Sequence, residues 1–125
     1  INMAKEIFNN GMKVRREVLG EKHVDRAESK KDEFTEEFQD LITRYAWGEI
    51  WTRPGLERKT RSCITLAMMI ALHREDEFKL HVKAALNNEL SKNEIKEVIL
   101  QSAIYAGVPA ANSAFHWAQD VFNSL

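Results

Sequence analysis

The chain has 125 residues, 44% hydrophobic and 30% charged, with a formal net charge of −1. That length supports a single domain over residues 1–125 with a core of its own, and so neutral a balance excludes nucleic acid and anionic membrane as expected partners. One cysteine, Cys63, excludes an internal disulfide and a Cys-x-x-Cys redox pair, and fits a cytoplasmic location. No run approaches the roughly 20 apolar residues of a membrane span, and no secretory signal is visible. Met3 is a candidate natural start, which would make Ile1 and Asn2 a cloning remnant. Few glycines and prolines, with almost no β-branched alternation, predict an all-α protein of about six helices in a compact bundle.

The first helix is expected over Met3–Leu19, with Gly20 as its stop. Residues 21–31 are polar and weakly periodic, and read as an ordered connection. Asp32 is suited to cap a second helix with Phe34, Phe38, Leu41, Ile42 and Tyr45 on its apolar face, ending near Trp47-Gly48. Residues 48–56 read as the principal loop, since Pro54 disfavours helix at Arg53 and Gly55 suits a turn. A third helix over residues 57–72 is apolar nearly all round, so it is expected to be central and buried, in part by a neighbouring subunit. His73-Arg74 breaks the chain before a helix over residues 75–87, whose first turn carries Glu75, Asp76 and Glu77. Asn87 or Asn88 is expected at its left-handed cap. Ser91 with Glu94 forms a capping box for the next helix, stopped by Gly107, and Pro109 suits the first turn of the last.

Four groups of residues carry candidate chemistry. Glu77 and His81 are one turn apart, and His81 falls at the margin of the apolar face set by Phe78, Val82 and Ala85. An imidazole beside a carboxylate suits proton transfer, though surface ion pairs at this spacing are common and weak. His116, between Phe115 and Trp117, reads by itself as a packed core histidine. The loop and the residue before it bring Trp47, Glu49, Trp51 and Arg53 into seven residues, with Arg61 a little beyond, and each tryptophan by itself reads as a lid over the core. An arginine fork binds both oxygens of a carboxylate, so Arg53 and Arg61 are candidate anion-binding groups, and inter-helix or subunit salt bridges are the alternative. His73, Glu77 and His81 have ligand-like spacing, but His73 lies at the break and no His-Glu-x-x-His pattern occurs. No metal is therefore expected. Phosphate-binding glycine loops and nucleophile elbows are absent, which leaves acid–base and electrostatic chemistry on a small anion.

Three segments together resemble the carboxymuconolactone decarboxylase family. They are Trp-Gly-Glu-Ile-Trp-Thr-Arg-Pro-Gly-Leu (47–56) followed by Arg61-Ser62, Glu-Phe-Lys-Leu-His-Val-Lys-Ala-Ala-Leu-Asn (77–87), and Ile-Tyr-Ala-Gly-Val-Pro-Ala-Ala-Asn-Ser-Ala-Phe-His (104–116). The likeness runs from about Met12 to Phe122. In the alkylhydroperoxidase-D-like branch of the family a Cys-x-x-Cys pair precedes a histidine. The matching positions here are Arg74, Glu77 and His81, so only the histidine remains and peroxidase chemistry is excluded. The resemblance implies an alkylhydroperoxidase-D-like helical fold and a homo-oligomer, a trimer or hexamer. It also implies cofactor-free loss of CO2 from a small anionic lactone, γ-carboxymuconolactone, giving the β-ketoadipate enol-lactone in bacterial protocatechuate breakdown. On that chemistry Arg53 would hold anionic substrate groups, with Arg61 in support. His81 would donate a proton or hydrogen bond with Glu77 orienting it, and His116 is the competing donor. Trp47 and Trp51 would wall the pocket, with Glu49 as an acid or gate. A family member acting on another lactone or keto acid, or a non-catalytic oligomer that binds a small ligand, are the alternatives.

Overall fold

The computed structural model describes residues 3–125; the expectation about residues 1–2 lies outside them. Among the described residues there are seven α-helices, one π-helix and no strand: α1 Met3–Leu19, α2 Glu21–Ser29, α3 Glu36–Ile42, the π-helix Thr43–Ile50, α4 Arg58–Ala71, α5 Glu75–Asn87, α6 Lys92–Ala106 and α7 Val108–Ser124. None of these helices is long and apolar enough to cross a membrane. The backbone groups into two compact units, Ile1–Glu57 and Arg58–Leu125.

In the N-terminal unit, the segment expected as a connection is helix α2. Only Val24 of this helix is buried, so its sequence carries little periodicity. It is held instead by charge: Arg16 of α1 reaches both Glu21 Oε2 (2.5 Å) and Asp25 Oδ1 (2.7 Å), two acids one turn apart on α2. Asp32 caps the turn that leads into α3, where its carbonyl accepts the Glu36 N–H at 2.9 Å. Its carboxylate accepts from the backbone N–H groups of Phe34 (3.0 Å) and Thr35 (3.1 Å), making a local turn before α3 begins at Glu36.

The second helix also departs from expectation in its burial and its end. Phe34, Phe38, Leu41 and Tyr45 are 94, 62, 50 and 61% exposed, and α3 buries no residue. Periodicity identifies the stripe, but among the described residues no element covers it. The helix does not end at Trp47-Gly48. From Thr43 it widens into the π-helix, and the Trp51 N–H bonds back five residues to the Ala46 carbonyl at 2.9 Å. The loop is therefore residues 51–57.

The C-terminal unit has an apolar core of Leu66, Ile70, Phe78, Val82, Leu90, Ile95 and Ile99, closed by alanines of α7. Phe78 meets Trp117 with ring centres 5.9 Å apart. Within one chain α4 is buried on one face only: Ser62, Leu66 and Ile70 face inward, while Ile64 and Met68, and Leu72 just after the helix, are exposed. The capping box forms as expected, with Glu94 N–H donating to Ser91 Oγ (3.0 Å) and Ser91 N–H to Glu94 Oε1 (2.9 Å). Gly107 ends α6 at φ 102°, a conformation open to glycine. The left-handed residue after α5 is Glu89 (φ 73°), not Asn87 or Asn88. Asn88 is buried instead, and its Nδ2 donates to the buried Ser62 Oγ at 2.9 Å, tying the turn after α5 to α4.

Candidate active site

In the N-terminal unit the π-helix and the turn after it carry Trp47, Glu49, Trp51 and Arg53. Trp47 is buried and Trp51 half-buried, and their rings lie 5.1 Å apart at 32°. This agrees with both readings of the pair, a lid on the unit's own core and an apolar wall. Glu49 and Arg53 are exposed. The Arg53 N–H donates to the Ile50 carbonyl (3.0 Å), and Thr52 Oγ1 donates to the Gly48 carbonyl (2.7 Å). The arginine thus leaves from a tight turn whose backbone is anchored on the π-helix.

In the C-terminal unit α4, α5 and α7 carry the remaining candidates. His81 is half-buried on α5, with its Nδ1 sealed from solvent. The sequence puts it at the margin of the apolar face. The structure extends the buried arc beyond it, because Ala84, three residues on, is fully buried together with Phe78, Val82 and Ala85. The imidazole therefore stands in a poorly hydrated strip, where a proton donor interacts strongly with developing charge. Arg61 on α4 is half-buried, with its Nε likewise sealed.

Glu77 is engaged on its other side. Arg74 donates through Nε to Glu77 Oε1 (2.9 Å) and through Nη2 to Oε2 (3.2 Å), a two-pronged pair at the start of α5. This hydrogen bonding holds the Glu77 carboxyl below the usual carboxylate range, and the nearby His81 adds to the effect. Glu77 is thus an anion at neutral pH, next to the strip that holds His81. The sequence places Arg74 at the break before α5 and at the position of the branch's first cysteine without giving it a role in the site; its opposite-charge spacing with Glu77 is the available signal.

His116 is not a packed core histidine. It is exposed on α7, two residues and so about 200° around the helix from buried Ala114. His73 is exposed at a left-handed turn (φ 58°). Among the described residues no three His, Cys, Asp or Glu side chains gather as metal ligands, so the His73–Glu77–His81 spacing does not become a site.

A groove of about 570 Å³ runs between α4 and α6, lined by Cys63, Ile64, Ala67, Glu97, Gln101 and Tyr105 among others. None of the candidate residues lines it, and it offers carboxylates but no arginine or histidine, which makes it a poor receptor for an anion. Burial pushes the Cys63 thiol up, so it stays protonated and weakly nucleophilic at neutral pH.

A family model described as carboxymuconolactone decarboxylase family matches residues 36–120. The chain is 51% identical over 118 residues to the 4-carboxymuconolactone decarboxylase of Acinetobacter baylyi, covering 94% of this chain and 88% of that protein. It is 40% identical over 121 residues to a nitrosuccinic acid decarboxylase of Metarhizium robertsii, covering 97% of this chain and 85% of that one.

Proposed function

The chain belongs to the carboxymuconolactone decarboxylase family, and from this we propose that it is a carboxy-lyase. It removes CO2 from γ-carboxymuconolactone to give the β-ketoadipate enol-lactone in the breakdown of aromatic compounds. The observation that carries the reading is the 51% identity, sustained over 94% of the chain, to a decarboxylase of that name.

The substrate explains why side chains suffice. Its departing carboxylate sits on the ring carbon γ to an unsaturated lactone carbonyl. When the carbon–carboxylate bond breaks, the electron pair moves through the double bond onto the carbonyl oxygen. A proton delivered to the α-carbon restores the carbonyl. The protein has to hold the retained carboxylate, stabilise the dienolate oxygen and supply the proton. Arg53 binds the anionic groups with Arg61 in support, and His81 is the donor. Glu77, kept ionised by Arg74, orients His81. His116 is the competing donor; its exposure makes it the weaker one, since water screens its charge. Trp47 and Trp51 exclude water around the departing carboxylate, and Glu49 acts as an acid or gate. The active form is a homo-oligomer, a trimer or hexamer, supported by the uncovered apolar side chains of α4 and α6 such as Met68, Ile104 and Tyr105. A cytoplasmic location fits a chain with one cysteine.

The second relative favours a second reading. Nitrosuccinic acid also carries a carboxylate whose departure leaves electrons in an attached acceptor, there a nitro group, so the same arginine and donor would serve it. Purified protein should consume the unsaturated-lactone absorbance and release one CO2 per lactone. Release from nitrosuccinate alone would move the chain to the second reading. Release from neither would leave a ligand-binding helical protein.

A further inference from the structure

The segment that bears Trp47, Glu49, Trp51 and Arg53 is shaped from elsewhere in its unit. α1 crosses the π-helix backbone against backbone at two glycines. A Cβ on Gly11 would overlap the Thr43 carbonyl oxygen and stand 2.7 Å from the Gly48 nitrogen. A Cβ on Gly48 would stand 2.7 Å from the Ile7 carbonyl oxygen and 2.8 Å from Ile7 Cγ2. Backbone atoms cannot rotate out of the way, so any side chain at either position must separate α1 from the π-helix. A glycine in a helix interior is less favourable than alanine, so Gly11 weakens α1 by itself. The compensating feature is the close approach.

One turn further along α1, Arg15 marks where the π-helix begins. It is 5% exposed, and its Nη1 donates to Thr43 Oγ1 and its Nη2 to Gln39 Oε1, both at 3.4 Å. Thr43 in turn donates to the Gln39 carbonyl at 2.9 Å. A hydroxyl competing for a helix carbonyl loosens the α-helical ladder at that point, and the π-helix starts at this threonine.

We infer that Gly11 and Thr43 are positioning residues of the substrate-binding segment: by docking α1 on the π-helix they set where Trp47, Trp51 and Arg53 stand. The inference rests on the proposed role of that segment in binding substrate. Misplacement by about 1 Å can cost roughly 100-fold in turnover efficiency. Gly11→Ala should therefore raise KM by about 10- to 100-fold with a smaller change in kcat. It should also abolish the near-ultraviolet circular dichroism of the coupled Trp47–Trp51 pair. Thr43→Val, which replaces the hydroxyl with a methyl of similar size, should move both readouts the same way by less. Val18→Ala, a fully buried α1 position away from the glycine contact, serves as the comparison for lost stability alone. It should lower the thermal midpoint while keeping KM and the tryptophan signal. The inference is overturned if Gly11→Ala and Thr43→Val keep wild-type KM, or if Val18→Ala raises KM as much as Gly11→Ala. The tryptophan signal is read with or without turnover. Unchanged coupling in both variants overturns the inference even if the lactone proves not to be the substrate.

Discussion

The two units are held together by different physics. The C-terminal unit has a mainly aliphatic core around the Phe78 ring, in which Phe78, Leu66, Ile70, Val82, Ile95 and Ile99 are essentially removed from water. The N-terminal unit buries Val14, Val18, Val24 and Trp47, but also Arg15 and Thr43, and relies on a glycine-to-backbone contact. Burial pulls the Arg15 guanidinium below its ordinary pKa, against the opposing pull of Glu28 at 3.7 Å. Lys31 continues the polar ties, reaching Glu28 (3.0 Å) and Asp40 (3.2 Å). An aliphatic core tolerates variation of similar volume. A backbone contact tolerates none, which suits a unit that presents a tryptophan pair and an arginine at fixed positions.

The strongest effect should come from the proposed proton donor in the C-terminal unit. His81→Ala should lower kcat on the lactone by roughly 10²- to 10⁴-fold, the usual contribution of a positioned proton donor. His116→Ala should retain most activity. The opposite pattern, read from steady-state rates, would transfer the donor role to His116. Next comes core packing. Phe78→Ala should cost about 3–5 kcal/mol in denaturant unfolding, for the lost burial and the cavity left beside Trp117. Asn88→Ala should cost about 1–3 kcal/mol, because Ser62 Oγ would lose its buried donor.

Weaker effects sharpen the contrast from the N-terminal side. Arg15→Met should change stability by no more than about 1 kcal/mol: long contacts are lost, and so is the penalty of a buried charge. A loss comparable to that of Phe78→Ala would show that the polar centre of this unit is as stabilising as the aliphatic core. The weakest of all is a pH dependence. Glu77 has a folded pKa below its unfolded one, so its contribution is present above the ordinary carboxylate pKa and is lost as pH falls through the depressed value. Thermal midpoints of wild type and Arg74→Ala should therefore differ slightly at neutral pH and converge in acid. A constant difference would remove the Arg74–Glu77 pair as its cause.

Local signals in the chain are enough for the all-α class, the limits of α1 and α4 to α7 to within a residue or so, the capping box at Ser91 and the family. Those signals are apolar residues at helical spacing, a serine with glutamate three residues on, and segments specific enough to carry the likeness. Residue types also limit the chemistry, since no cysteine pair accompanies His81. What the patterns face is a matter of tertiary structure. The Phe34–Phe38–Leu41–Tyr45 stripe has helical spacing yet is exposed, because periodicity defines a face and not its partner. α2 is illegible in the sequence because charges on α1 hold it instead of an apolar stripe. The π-helix, the glycine contact at Gly11 and the Asn88–Ser62 bond depend on residues 26 to 37 positions apart in the chain meeting at close range. His81 passes from the margin of a face into a buried strip for the same reason: the depth of an imidazole is set by the elements around the helix that bears it.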